Sequence, residues 1–295
     1  MVLSNDNKEI MSTFKLFIER EVANGACAEL TSERYLDYAK RYLKFLNKRP
    51  IDKESILDYR THLVARKYKP RTISLHLHIV QRLCKALSNA GMILEDPSRD
   101  IKAPPLKLTQ EESVVFLSEE ELNSVLRISR AMHAQRTTAI IQLMAGQSLR
   151  TIEVQRAELA DIGEDTLYVH GKGHDRIVHL TQVTIARLRE WLQVRPAGGT
   201  ALFTHLRTSH SLTTRRIRGL VVDVLKRAGV RCKAHGLVRT HSLRHTFATL
   251  ALANGADIQA VKEAGGWRNL STVQIYVHAV DRQGRNAALS VPIKE

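Results

Sequence analysis

Residues 241–249 read His241-Ser242-Leu243-Arg244-His245-Thr246-Phe247-Ala248-Thr249. Further on come Gly266-Trp267-Arg268-Asn269-Leu270-Ser271-Thr272 and then Gln274-Ile275-Tyr276-Val277-His278. These two stretches pair cationic and hydrogen-bonding side chains suited to a phosphodiester with a tyrosine able to attack one. His241 and Arg244 are three apart, so on a helix they share one face. Arg150 and Lys172 lie far upstream, where only folding brings them close. The chemistry such a set suggests is cutting and joining of DNA strands.

Transferring a DNA phosphate without a metal needs fixed positive charge around the transition state, a nucleophile, and an acid for the departing 5′-oxygen. Arginine suits the first role, because its planar fork donates two parallel hydrogen bonds to phosphate oxygens and it stays charged. Arg150 and Arg244 are the candidates. Histidine exchanges protons near neutral pH, which fits His241, and Lys172 can protonate the leaving oxygen. No cluster of carboxylates of the kind that holds two metal ions stands out, so the sequence points to no metal and no cofactor.

The composition agrees with a polyanionic partner. Over 295 residues the formal net charge is +15 and the pI is about 10.0, and released counterions drive such a surface onto nucleic acid. An anionic membrane would attract the same charge, but the basic residues are spread along the chain and not gathered on one amphipathic tail. Nothing approaches the roughly twenty apolar residues of a membrane span, and Met1-Val2-Leu3-Ser4-Asn5-Asp6 lacks the pattern of a secretory signal. The expectation is a cytoplasmic protein. Cys27, Cys84 and Cys232 are odd in number and too scattered for a zinc site, so they read as reduced, buried thiols.

The elements that must position these groups are mostly helices. Apolar residues at three- and four-residue spacing, such as Phe14, Phe17 and Ile18 or Tyr35, Tyr38 and Tyr42, predict helices over 8–22, 32–45, 53–65 and 71–87. Turn signals at Asn24-Gly25, Arg49-Pro50, Lys69-Pro70 and Ala90-Gly91 separate them into a helical bundle. Pro97, Pro104 and Pro105 interrupt any helix, so 95–113 reads as extended chain between two domains. The boundaries drawn from this are 1–103 for a helical domain, 104–115 for a linker and 116–295 for a second, mainly helical domain. Ser118 with Glu121 is a capping box that opens the second domain. Helices are expected there over 119–129, 134–146, 151–157, 183–193, 214–228, 242–254, 257–264 and 271–279. One clear β segment interrupts them: 166–169 and 176–180 flank Gly171-Lys172-Gly173-His174-Asp175, an antiparallel hairpin with Lys172 at its tip.

The motifs resemble those of the tyrosine recombinase family, which includes phage integrases, Xer and Cre. His-x-Leu-Arg-His-x-x-Ala-Thr matches at 241–249, and Gln-Ile-Tyr-x-His matches at 274–278. The family's Thr-Gly-Leu-Arg-x-x-Glu-Leu appears as Gln147-Ser148-Leu149-Arg150-Thr151-Ile152-Glu153-Val154, and its Gly-Lys-Gly falls on Lys172. The resemblance covers 118–280 with specific motifs and 1–103 more weakly, as a SAM-like core-binding domain.

It implies that Tyr276 attacks the scissile phosphate to give a 3′-phosphotyrosyl link and a free 5′-hydroxyl, without ATP or metal. Arg150 and Arg244 would clamp the non-bridging oxygens, Lys172 would be the general acid, His241 would assist proton transfer, and His245 would support the phosphate site. It also implies two domains closing on opposite faces of duplex DNA, and four protomers on two DNA sites. The tail from Ala279 to Glu295 is a candidate for docking on a neighbouring protomer.

There are two departures. Trp267 stands where most members carry histidine, although the Cre-like branch has tryptophan; an indole donates a hydrogen bond but shuttles no proton. Ser148 replaces the usual glycine before Leu149-Arg150.

Each residue also has a plainer reading. A lone arginine or lysine is usually a solvated charge, a lone histidine is usually satisfied in core or surface, and Tyr276 or Trp267 alone could simply pack. Glu153, three residues after Arg150, either orients it or forms an exposed pair of little consequence. The run Arg215-Arg216-Ile217-Arg218 reads as the exposed face of an amphipathic helix; it and Lys67, Lys69 and Arg71 are candidates for phosphate contact. Two rival functions stand beside recombination. One is a type IB-like topoisomerase acting as a monomer with little site preference; the other is an architectural DNA-binding protein without catalysis.

Overall fold

The computed structural model describes residues 6–25, 29–102, 114–171, 175–233 and 236–281. The chain divides into two compact units, Met1–Thr109 and Gln110–Glu295.

The first unit is a four-helix arrangement: α1 (Asn7–Ala23), α2 (Glu29–Leu46), α3 (Lys53–Ala65) and α4 (Pro70–Asn89). Asp6 and Asp52 cap α1 and α3 by accepting backbone N–H bonds, and Pro70 opens α4, where a missing amide donor costs nothing. Ile73, Leu77, Val80, Leu83 and Leu87 run down one face of α4 into a core shared with Phe14, Ile18 and Tyr42. Residues 95–102 were expected to be extended chain between domains. Instead they fold back onto this unit: Ile101 is buried in its core, and its carbonyl accepts a 2.8 Å bond from Gln81 Nε2. Buried Ile93 and Ile101, on either side of Pro97, carry that packing, so proline here marks a turn and not a linker. Of the expected linker, 103–113 lies outside the described residues, and Val114 and Val115 pack on the second unit.

The second unit is built around α6 (Gln135–Gly146), whose residues are nearly all buried, Arg136, Thr137 and Thr138 among them; a helix covered on every side lies in the middle. It packs against α5 (Glu119–Ala131), α8 (Gln182–Val194), α9 (Thr214–Arg227) and α10 (Thr240–Ala253). The Ser118–Glu121 capping box opens α5 as expected. Short α7 (Thr151–Arg156) is followed by the antiparallel hairpin of β1 (Thr166–Val169) and β2 (Arg176–His179), with Val169 opposite Arg176. The hairpin matches expectation, but its tip at 172–174, including Lys172, lies outside the described residues.

A second short ladder, β3 (Cys232–Lys233) with β4 (Gly236–Leu237), was not anticipated; two-residue strands leave no alternation to read. Cys232 is exposed there, contrary to the buried thiol expected, whereas Cys84 is buried and Cys27 lies outside the described residues. Helices α11 (Ile258–Gly265) and α12 (Leu270–Asp281) pack on each other and on α10. The molecule is thus mainly α-helical with small antiparallel β elements. Among the described residues no helix is long and apolar enough to cross a membrane.

Candidate active site

Four elements of the second unit bring the candidate side chains together: the N-terminus of α7, strand β2, helix α10, and the α11–α12 pair.

Arg150 is the N-cap residue of α7. Its backbone N–H donates to Glu153 Oε2 at 2.8 Å, its Nη1 to Glu153 Oε1 at 2.6 Å, and its Nη2 to the Gly266 carbonyl at 3.0 Å. That last bond ties α7 to the C-cap of α11. Gly266 sits there at φ +60°, in the left-handed region, and the Arg176 side chain crowds the space that a Cβ would take.

Glu153 is not an exposed surface partner. Only 2% of it is accessible, and Arg176 grips it with a two-pronged pair, Nη1 to Oε1 and Nη2 to Oε2, both at 3.0 Å. Burial pushes its carboxyl up from 4.5, but the Arg176 hydrogen bonds and charge, with the Arg150 bonds, outweigh it and hold the group down at about 2. Arg176 Nε reaches on to the Ala264 carbonyl at 3.3 Å. One buried carboxylate therefore fixes two guanidiniums, and both of these also bond the end of α11.

Arg176 was not among the residues singled out from the sequence. Its signal is the two-residue period of β2: Arg176 and Val178 share a face, and Val178 is buried. A charge on an inward strand face requires a buried counter-charge.

Arg244, on α10, is 1% exposed. Its Nη1 donates to the Ser148 carbonyl, while its Nη2 is buried with no hydrogen-bond partner among the described residues. Burial first, then the charge of Arg150, lower it to about 9, so it is still a cation at neutral pH. The guanidinium lies over the Trp267 ring, 3.9 Å from its centroid. Trp267 occupies space opened by Gly265, where an added Cβ would collide with the indole. Another neighbour of that indole is Tyr276, with ring centroids 5.6 Å apart.

Tyr276, on α12, is 4% exposed, and its hydroxyl bonds His245 Nδ1 at 2.7 Å. Burial raises the phenol to about 12 against the opposing pull of Arg244 and Arg150. The His245 ring carries His241 edge-on at 4.6 Å. Burial, then His241 and Arg244, lower His245 to about 4; His241 is lowered by desolvation, then by Arg244 and Arg150. Both imidazoles are neutral at working pH.

The structure therefore gathers Arg150, Glu153, His241, Arg244, His245, Trp267 and Tyr276 around one place. Lys172 lies outside the described residues, but Arg176, in the hairpin pair next to the turn, is anchored to the same cluster. Ser148 takes φ +60°, the conformation for which glycine is suited, and its carbonyl is the one Arg244 uses. The arrangement offers a buried cation with a spare donor, a second guanidinium 34% exposed by side chain, and a phenol beside them. Such a site can bind a phosphate anion and bring a nucleophile to it.

Residues 115–283 match the family described as phage integrase family. The chain is 32% identical over 212 residues to tyrosine recombinase XerC of Caldanaerobacter subterraneus subsp. tengcongensis, a match spanning 70% of this chain and 58% of that protein. It is 29% identical to XerC of Bacillus pumilus over 287 residues, 89% of this chain and 90% of the relative. Among solved structures, a XerH site-specific recombinase bound to palindromic difH substrate superposes with TM-score 0.76 at 19% identity, covering 95% of each chain. A lambda integrase tetramer bound to a Holliday junction gives TM-score 0.75 at 14% identity, covering 98% of this chain and 80% of the other. The chain belongs to the phage integrase family. Within that family its relatives make it a tyrosine site-specific recombinase.

Proposed function

We propose that this recombinase cuts and rejoins duplex DNA through a covalent 3′-phosphotyrosine on Tyr276, with neither metal nor ATP. The observation that carries the reading is the buried Arg244 cation, whose Nη2 has no hydrogen-bond partner among the described residues, against an indole that also packs on the candidate nucleophile. A phosphodiester entering there meets Arg244 and Arg150 with its non-bridging oxygens. A preorganised donor of this kind contributes roughly 100- to 1,000-fold in rate. Trp267 supplies packing and one N–H donor. Glu153 holds Arg150, and the packed His241–His245 pair stands on the attacking side, where the proton of Tyr276 must go. Lys172, from the hairpin tip, protonates the 5′-oxygen. Because the phosphotyrosine retains the energy of the broken bond, a 5′-hydroxyl can reverse the step on the same or another strand.

The partner is double-stranded DNA. The assembly is a tetramer on two DNA sites, by likeness to the lambda integrase tetramer on a Holliday junction. The first unit, with Lys67, Lys69 and Arg71 exposed, serves as a DNA-binding domain, and the exposed Arg215, Arg216 and Arg218 of α9 add phosphate contacts.

The test is a nicked suicide duplex incubated with the protein in excess EDTA and without nucleotide. A covalent protein–DNA adduct at a defined site is expected. Loss of the adduct in EDTA with rescue by magnesium would overturn the metal-free mechanism. Relaxation of supercoiled DNA without site preference would favour the topoisomerase, and binding without any adduct would favour the architectural protein.

A further inference from the structure

We propose that His245, and not His241, takes the proton from Tyr276 as its oxygen attacks phosphorus. This inference rests on the reading of Tyr276 as nucleophile. Whichever residue receives the proton must touch the hydroxyl. His245 does so through Nδ1 at 2.7 Å, within the range of a strong O–H···N bond. His241 makes no hydrogen bond to Tyr276 among the described residues; its ring packs on the side of His245. The pair is held from both ends. His245 is fixed on α10 one residue after buried Arg244, and Tyr276 is wedged on α12 against Trp267. The acceptor nitrogen and the phosphate-binding guanidinium thus approach the phenol from the same helix.

Tyr276 starts protonated and His245 neutral, but burial raises the phenol to about 12 and lowers the imidazole to about 4, so the transfer is uphill until a phosphodiester is bound. With its Nε2 protonated, neutral His245 leaves the Nδ1 lone pair facing the hydroxyl. The ring is kept neutral by burial and by the neighbouring His241 and Arg244. A phosphodiester bound beside Arg244 brings a negative charge that offsets this cationic field, making the imidazolium easier to form when it is needed. In the step itself the Tyr276 O–H bond breaks and its proton passes to Nδ1. The oxygen then bonds phosphorus, and the P–O5′ bond breaks with its electron pair to O5′, which is protonated by the general acid. In rejoining, the 5′-hydroxyl attacks phosphorus and gives its proton back to the deprotonated general acid; the bond from phosphorus to the Tyr276 oxygen breaks with its electron pair to that oxygen, and the His245 imidazolium returns its proton there. His241 is then a neighbour that sets the basicity of the acceptor.

An acceptor of this kind is needed less when the phenol ionises more readily. The full-length protein is prepared with tyrosine or with a fluorinated tyrosine of lower pKa at position 276, in the parent and in the His245→Gln and His241→Gln backgrounds. First-strand cleavage of a nicked duplex is timed in a single turnover. With tyrosine, His245→Gln is expected to slow cleavage about 100-fold or more. With the fluorinated residue, at least about tenfold of that loss should return, and the His241→Gln deficit should be alike with both nucleophiles. The comparison is made within one background, so a folding defect scales both rates and leaves their ratio intact. An equal His245→Gln deficit with both nucleophiles, no deficit at all, or recovery in His241→Gln alone would overturn the proposal. Mapping the parent adduct keeps the two layers apart. Attachment away from Tyr276 refutes the nucleophile, whereas attachment at Tyr276 without recovery refutes only the role of His245.

Discussion

Glu153 carries more of the site than its size suggests, because two guanidiniums depend on one buried carboxylate. Removing its charge leaves Arg150 and Arg176 under-compensated, and breaking a buried pair of this kind costs about 3–5 kcal/mol. The sign with pH follows from its carboxyl being held at about 2 against 4.5 ordinarily: its contribution is fully present above about pH 4.5 and is lost as pH falls toward 2. Chemical denaturation across that range should therefore show the parent more stable than Glu153→Gln by a margin that shrinks on acidification. A margin independent of pH would contradict the account. Lys172 is tested through its leaving group. Lys172→Ala should cleave ordinary DNA on the order of 100- to 10,000-fold slowly and recover on a 5′-bridging phosphorothiolate, whose sulfur departs unprotonated. Equal impairment on both substrates would move the acid elsewhere.

At the scale of elements, helices were legible in the sequence because periodic apolar residues mark them and, at Ser118, a capping box fixes the start. The hairpin was equally clear. What escaped notice had little or no local signature, the inward face of β2 at Arg176 being the exception. The two-residue strands β3 and β4 are set by tertiary contact, and Arg176 acquires its meaning only when β2 is laid against the end of α11. The same holds for the hydrogen bond between His245 and Tyr276, thirty-one residues apart. Pro97 misled, since a proline that ends a helix says nothing about whether the following chain leaves the unit.

Ser148 stands at the turn from α6 into Arg150, and the structure gives its departure from glycine a consequence. Its left-handed backbone costs about 1–2 kcal/mol for a residue with a Cβ, and its buried hydroxyl has no partner among the described residues. Glycine has its own entropic penalty of roughly 0.5–1 kcal/mol. Ser148→Gly should thus be more stable by about 1 kcal/mol, seen as a small rise in Tm with cleavage retained. A lowered Tm would mean that the serine is held by interactions outweighing its strain.

At the scale of the molecule, a net charge of +15 supplies the pull toward DNA, and the second unit gathers residues from positions 150 to 276 into one place. The central claim is that the tyrosine at the end of this constellation becomes covalently joined to DNA. Its most direct test is to trap the protein on a nicked duplex, digest the adduct, and read by mass spectrometry which residue carries the 3′-phosphate, with Tyr276→Phe run beside it. The account predicts the nucleotide on Tyr276, and a Tyr276→Phe protein that binds the same DNA without forming an adduct. An adduct on another residue, or one that persists in Tyr276→Phe, would contradict it.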